Sequence, residues 1–326
     1  MKFLLIRFSS IGDIVLTTPV IRCLKQQVPD AEVHFLTKQA FRDILDNNPY
    51  VDKVISLGDD WNGMISTLQE ENYDQVIDLH HNIRTLRVKR ALKNVPATSF
   101  RKLNFQKWLL TAFRINLLPQ IHIVDRYMET VASLGVANDG KGLDYFIPEK
   151  DHVSPEDLPT SHQMGYIGIV IGAALNTKKL PVHKLRELCK KIAYPVVLLG
   201  GKEDMTDAQV IASVDEGKIY NACGKFNLNE SAYLVQQAAM IITHDTGLMH
   251  IAAAFQKPVI SIWGNTVPAF GMDAYYGDGR VRDKKAEVHG LWCRPCSKIG
   301  FARCPLGHFK CMERQDIQAI ADSISI

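Results

Sequence analysis

Two α/β domains, each built on a parallel sheet, follow from three features of this sequence. Short apolar runs alternate with amphipathic stretches along the chain, the pattern of buried strands covered by helices on both faces. The rhythm fades in the proline- and charge-rich stretch 148–159 (PEKDHVSPEDLP) and then restarts, which marks a linker. The chain has 326 residues, room for two domains of the usual ~150.

Element by element, Phe3–Ile6 reads as a buried opening strand, and apolar residues recur at helical spacing from Asp13 to Gln27, ending before Pro29. Strands are expected at Glu32–Thr37, Val51–Leu57 and Tyr73–Leu79, with helices around Ala40–Leu45 and Ile65–Glu71. A basic segment follows and reads as helices around Arg84–Leu92 and Phe105–Phe113. Beyond the linker, strands at Tyr166–Gly172, Pro195–Gly201, Met240–Asp245 and Pro258–Gly264 alternate with helices at Pro181–Ala193, Asp207–Ser213, Asn229–Ala239 and Thr246–Phe255. This gives two Rossmann-like domains, 1–155 and 156–326. Such domains take ligands at the carboxyl ends of their strands, so the cleft where two of them face each other is the default site.

Composition narrows the classes. Hydrophobic residues make up 46% and charged residues 22%, which excludes a disordered, collagen-like or disulfide-stapled chain. No apolar run reaches the ~18 residues of a membrane span. Arg7 interrupts the opening apolar stretch, which therefore reads as a strand rather than a signal peptide. Seven cysteines in a chain this long suit a reducing cytoplasm. The net charge of +3 is unevenly spread: nine Lys/Arg and no Asp/Glu lie between Leu79 and Val124, leaving the rest net acidic. That points to an anionic partner, with solvated basic helix faces as the plain alternative.

The generic nucleotide fingerprints are missing: no GxGxxG follows a strand, and there is no P-loop, HExxH or GxSxG. Three strand-end loops carry the chemistry instead. In Ser9-Ser10-Ile11-Gly12-Asp13, glycine permits a sharp turn and Asp13 is either a helix cap or a general base. In THDTGLMH (243–250), Asp245, Thr246, Gly247 and His250 surround a helix N-terminus suited to a phosphate, again with Asp245 as a possible plain cap. In GAALNTKKLP (172–181), small residues allow close approach, and Lys178 or Lys179 can neutralise a pyrophosphate.

Taken with IRFSSIGDIVLTTP, DNNPYVDKVI, LLGGKED and THDTGLMHIAAAFQKPVISIWGNTVP, these loops resemble glycosyltransferase family 9, the ADP-heptose:lipopolysaccharide heptosyltransferases. The resemblance spans most of the chain. It implies a GT-B architecture, acceptor on the first domain and nucleotide-sugar donor on the second, with inverting, metal-independent transfer and no cofactor beyond the co-substrate. Position by position it implies Asp13 as catalytic base, Lys178 as donor-phosphate lysine, and Asp245, Thr246, Gly247 and His250 as the donor loop and helix. An acidic residue of GGKED, Glu203 or Asp204, would contact the nucleoside, with Glu203 preferred. Leu180 stands where the family often has an aromatic.

Ser10, Gly12 and Arg84 are the expected acceptor contacts. The outer basic residues, Arg87 and Lys89 to Lys93, are expected to act as long-range field, and Lys179 serves as the control for Lys178. The implied partners are ADP-heptose or a similar nucleotide sugar and an anionic lipid-linked acceptor, reached from the cytoplasm by peripheral contact with the inner membrane face. Trp108, Leu109, Leu110 and Phe113 either meet that surface or form a core helix face. Cys293, Cys296, Cys304 and Cys311, with His308 nearby, leave zinc, a labile thiol pair or plain buried thiols open. A non-catalytic nucleotide-sugar binding module is the alternative function. Nucleic-acid binding would explain the charge but not the paired α/β domains.

Overall fold

The computed structural model describes residues 1–280 and 282–325. The chain divides into two compact units, Met1–Lys102 with Ile121–Phe146, and Leu103–Gln120 with Ile147–Ile326. The chain therefore passes between the units three times, at 102/103, 120/121 and 146/147, and the last passage precedes the boundary expected near 155. The stretch expected as a linker belongs instead to the second unit and holds two single 3₁₀ turns, Glu149–Asp151 and Pro155–Asp157, with a third, Thr160–His162, directly after it. Its Asp151 is buried and accepts from Asn229 Nδ2 at 2.8 Å.

In the first unit, β1 (Lys2–Ile6), β2 (Glu32–Lys38), β3 (Lys53–Leu57), β4 (Gln75–Asp78) and β5 (Ala97–Ser99) form a parallel sheet in the order β3-β2-β1-β4-β5. The chain winds outward from β1 in one direction and then resumes on the other side with β4. Ile6 therefore pairs with Leu36 on one flank and Asp78 on the other. The continuous helix expected over 13–27 is split into α1 (Ile11–Val15) and α2 (Thr18–Gln27). Pro19 lies in the first turn of α2 and has no N–H for a continuing helix. The hydroxyls of Thr17 and Thr18 donate to the carbonyls of Ile14 and Val15 at 2.7 and 2.8 Å, closing the break. Then come α3 (Trp61–Glu70), α4 (Ile83–Ala91) and, belonging to the second unit, α5 (Asn104–Phe113), before α6 (Ile123–Met128) returns to the first. Leu4, Ile6, Leu36, Val76, Leu68 and Val88 are all buried in the core between sheet and helices.

In the second unit, β6 (Ile167–Val170), β7 (Val196–Leu199), β8 (Ile219–Asn221), β9 (Met240–His244), β10 (Val259–Trp263) and β11 (Asp283–Glu287) form a parallel sheet ordered β11-β10-β9-β6-β7-β8. It is flanked by α7 (Val182–Lys191), α8 (Met205–Ala212), α9 (Leu228–Gln237) and α10 (Gly247–Ala254). The C-terminal α11 (Lys310–Glu313) and α12 (Ile317–Asp322) bring Met312, Ile317 and Ile320 into its core. In this sheet the winding reverses between β6 and β9.

The basic segment is not one surface of the first unit. Its residues up to Lys102 belong there, while Lys107 and Arg114, on and just after α5, belong to the second. Nor does α5 turn its aromatics inward. Leu110 is buried, but Trp108 and Phe113 are exposed, 52% and 59%.

Candidate active site

Each unit collects its polar groups where its winding reverses, the place where a crevice opens beyond the strand ends. In the first unit the loops after β1 and β4 meet there. Arg7, the residue after β1, is buried and fully engaged. Its Nε donates to the Ser9 carbonyl (2.8 Å), and its Nη1 donates to the Leu79 carbonyl (2.7 Å) and the Tyr127 hydroxyl (3.1 Å). Its Nη2 pairs with Asp13 Oδ1 at 2.5 Å. The other carboxylate oxygen of Asp13 accepts from the Ser10 N–H (3.1 Å) and Ser10 Oγ (2.7 Å).

Asp13 is thus both helix cap and ion-pair partner. Burial alone would raise its pKa, but the Arg7 charge and the two Ser10 bonds hold it below the ordinary carboxylate value. The group is held as a carboxylate.

Beside it, at the end of β4, Asp78 is fully buried and pairs with Lys89 at 2.9 Å, while its Oδ1 accepts from the His81 N–H at 2.6 Å. Lys89 is therefore an internal brace for the β4 loop. Arg87 lies over the Trp61 ring at 4.6 Å, also held rather than extended. Both differ from the long-range field role expected of them, because each finds a partner outside its own helix turn. Arg84, in the first turn of α4, is exposed. His80 is kept neutral, its pKa pushed down to about 4 by burial and by the charges of Arg7 and Lys102. Its Nδ1 has no hydrogen-bond partner. Neither Arg7 nor His80 was picked out by sequence reasoning. The sequence signal for Arg7 is a cation directly after an apolar strand.

In the second unit the loops after β6 and β9 meet. Lys178 ends a 3₁₀ turn (Asn176–Lys178), and its Nζ pairs with Asp245 Oδ2 at 2.7 Å and donates to the Asp245 carbonyl at 3.2 Å. Thr266 Oγ1, after β10, donates to the same Oδ2 at 3.0 Å. Thr246 is the N-cap of α10 yet makes no side-chain cap to the first turn; its hydroxyl meets Thr243 Oγ1 at 3.2 Å instead. The first-turn N–H groups starting at Gly247 thus receive no oxygen from their N-cap side chain, and they add positive potential beside the Lys178 ammonium. His250 is buried one turn further in. The loop is pinned by His244, whose Nε2 accepts from the Leu180 N–H at 2.8 Å; burial and the Lys179 charge push its pKa down to about 4, so it stays neutral and can accept.

One expectation changes. Lys179 is not a free control, since its Nζ pairs at 2.6 Å with Asp204, a carboxylate almost wholly buried. Asp204 also accepts from the Gly201 N–H (3.0 Å), and a Cβ on Gly172 would come within 2.3 Å of its Oδ2. Asp204 is therefore engaged within the fold, whereas Glu203 is exposed.

The cysteine-rich segment frames the same loops. Arg294 Nε donates to the Gly264 carbonyl at 2.6 Å and its Nη2 to the Thr266 carbonyl at 3.0 Å. Phe301 N–H donates to Thr177 Oγ1 at 2.7 Å, while the Thr177 N–H donates to the Phe301 carbonyl at 3.1 Å. Among the described residues, the His/Cys/Asp/Glu group whose ligand atoms lie within 4.8 Å of one another is Glu32, His34 and Glu71. The tail Cys293, Cys296, Cys304, Cys311 and His308 do not form such a set, although Cys293 Sγ and His308 Nε2 are 3.8 Å apart. The Glu32–His34–Glu71 group is already neutralised by Lys2 and Lys53.

Comparison with known proteins identifies the family and the fold. The family model described as glycosyltransferase family 9 (heptosyltransferase) matches residues 61–298. The chain is 27% identical over 303 residues to lipopolysaccharide heptosyltransferase 1 of Campylobacter coli, covering 82% of this chain and 84% of that protein. The crystal structure of a family 9 glycosyl transferase from Veillonella parvula DSM 2008 superposes with a TM-score of 0.77 at 22% identity, covering 99% of this chain and 95% of that one. E. coli ADP-heptose lps heptosyltransferase II superposes with a TM-score of 0.76 at 19% identity, covering 99% and 97%. The two parallel-sheet units are those of a GT-B fold. With the family model matching well over half of its length, the chain belongs to glycosyltransferase family 9 and is a glycosyltransferase.

Proposed function

We propose that this enzyme moves a heptose from ADP-heptose to a lipopolysaccharide inner-core acceptor, with inversion and without a metal ion. The first unit takes the acceptor and the second the nucleotide sugar. The observation that carries this reading is the pair of salt bridges found one at each winding reversal. Arg7 is tied to three groups besides Asp13, so Asp13 is the member of its pair assigned to act. Among the described residues Lys178 is held by Asp245 alone, while Asp245 is also tied to Thr266, so here the lysine is the member assigned to turn to a ligand.

In the proposed step the acceptor hydroxyl oxygen forms a bond to the anomeric carbon as the carbon–phosphate oxygen bond breaks. The hydroxyl proton passes to Asp13, and the departing ADP keeps the electron pair of the broken bond. Attack from the face opposite the leaving group inverts the centre. The charge growing on the diphosphate is met by Lys178 and the α10 N-terminus, the work otherwise done by a divalent cation. Gly247 lets the backbone approach, and His250 lies below on the same helix. Glu203 is placed for the nucleoside, Ser10 and Gly12 shape the turn that presents Asp13, and Arg84 meets an acceptor anion.

The names of the relatives support the donor and acceptor classes: lipopolysaccharide heptosyltransferase and ADP-heptose lps heptosyltransferase II. A lipid-linked acceptor puts the reaction at the inner face of the cytoplasmic membrane, and no described helix is long and apolar enough to cross a membrane. A thermal-shift panel of ADP-, GDP- and UDP-sugars tests the donor. ADP-heptose at ~100 times its Kd stabilises by about 2.7 kcal/mol. A larger shift with a GDP- or UDP-sugar would overturn the assignment.

A further inference from the structure

We propose that the outer face of α5 and the cysteine-rich segment 292–306 together form a docking surface for an anionic lipid bilayer. The two segments are far apart in sequence but share a chemistry: residues 80–124 and 288–312 contain no Asp or Glu. The fold joins them within the second unit. Arg114, at the C-cap of α5, donates from Nε to the Trp292 carbonyl at 2.9 Å, and Lys298 Nζ approaches Asn104 Oδ1 at 3.5 Å.

What they present outward is apolar and mostly aromatic. Phe105, Trp108 and Phe113 are 64%, 52% and 59% exposed, and Trp292 and Ile299 are 75% and 61%. The α5 rings support one another rather than a core: Phe105 stacks on Trp108 at 6.0 Å, and Phe113 meets Trp108 edge-on at 5.2 Å. Such large rings cost free energy in water, and an exposed cluster of them marks an interaction surface.

Charge chooses the occupant. Lys107, whose ammonium lies 5.9 Å from the centroid of the Phe270 ring, Arg114 and Lys298 accompany the rings, and the two segments themselves carry no acid. Aromatic groups at headgroup depth beside lysine and arginine are the combination that binds the interface of an anionic membrane without spanning it. A second protein chain would be favoured by a charge-neutral or mixed rim, which these two segments lack. The proposal deepens the reading of a lipid-linked acceptor, but its binding test uses no sugar and so fails or succeeds independently of that reading.

The test is co-sedimentation of the full chain with vesicles of phosphatidylglycerol and phosphatidylcholine, compared with phosphatidylcholine alone. Binding is expected only to the anionic vesicles, falling with added salt. Trp108→Ser with Trp292→Ser is expected to weaken it at least tenfold, and Lys107→Gln with Lys298→Gln several-fold at low salt. All four positions are at the surface or on its rim, so unchanged thermal midpoints and an unchanged ADP Kd are expected to show that the variants fold. Absence of binding to anionic vesicles by the unmodified protein would overturn the proposal. So would equal binding by the tryptophan variant, or concentration-dependent self-association that this variant abolishes while vesicles are ignored.

Discussion

The two winding reversals make the same kind of salt bridge and use it in opposite senses. In the first unit a buried arginine with three other acceptors holds a carboxylate whose far oxygen accepts from Ser10 alone. In the second a carboxylate with a second donor holds a lysine whose partners are both on Asp245. Which member of a pair is otherwise committed decides which one remains for chemistry. A fixed cation leaves a base; a fixed anion leaves a phosphate ligand. The residue types alone do not distinguish the two cases, and the second set of partners does.

Breaking the pairs one side at a time sharpens the contrast. Asp13→Asn is expected to lower turnover by roughly 10²–10⁴-fold, the usual worth of a positioned base, while the amide still caps α1. Near-normal turnover would leave Asp13 as a cap and nothing more. Lys178→Ala is expected to raise the Kd for ADP by about tenfold or more, with little change in stability, since a charge-assisted bond to phosphate is worth about 1.5–3 kcal/mol. Lys179→Ala is expected to do the reverse, lowering stability by about 1–3 kcal/mol by leaving buried Asp204 without its cation. Calorimetry and thermal melts on the same two variants separate these outcomes, and equal losses of affinity would reduce both lysines to bulk charge.

Arg7→Gln tests the coupling inside the first pair. With the cation gone, burial is no longer opposed and the Asp13 pKa rises, so the acid limb of the kcat/KM profile is expected to move to higher pH. An unmoved limb would mean another group titrates. In the parent enzyme the folded pKa is the depressed one. The stability this pair contributes is therefore present above the unfolded carboxylate value and fades only as pH falls through the folded one. The smallest effect is at Arg84, exposed at the start of α4: Arg84→Ala is expected to raise the acceptor KM several-fold at any salt concentration and leave ADP affinity alone. Unchanged acceptor kinetics would move the acceptor elsewhere.

Central strands were legible because runs such as FLLI and VVLL are apolar throughout, as buried parallel strands usually are. The edge strands β5, β8 and β11 were not, being three residues long or, in DKKAE, polar enough to face water. The site loops stood out as small and polar residues directly after apolar runs. Their second partners did not: Arg7 meets Tyr127 from 120 residues away, and Lys179 meets Asp204 across 25. Local spacing carries no trace of such contacts. Helical periodicity likewise gave α5 an apolar face without saying what covers it. The cysteine spacing suggested metal ligands, yet that segment's visible contribution is to hold the loops of Thr177 and Thr266.

The division of roles is tested most directly by titrating ADP into Asp13→Asn and Lys178→Ala side by side and measuring turnover of each. A base in the first unit and a phosphate ligand in the second predict that Asp13→Asn binds ADP with the parent Kd but turns over roughly 10²–10⁴-fold more slowly. They also predict that Lys178→Ala loses about tenfold or more in ADP affinity. An Asp13→Asn enzyme that loses ADP affinity, or a Lys178→Ala enzyme that keeps it, would contradict the account.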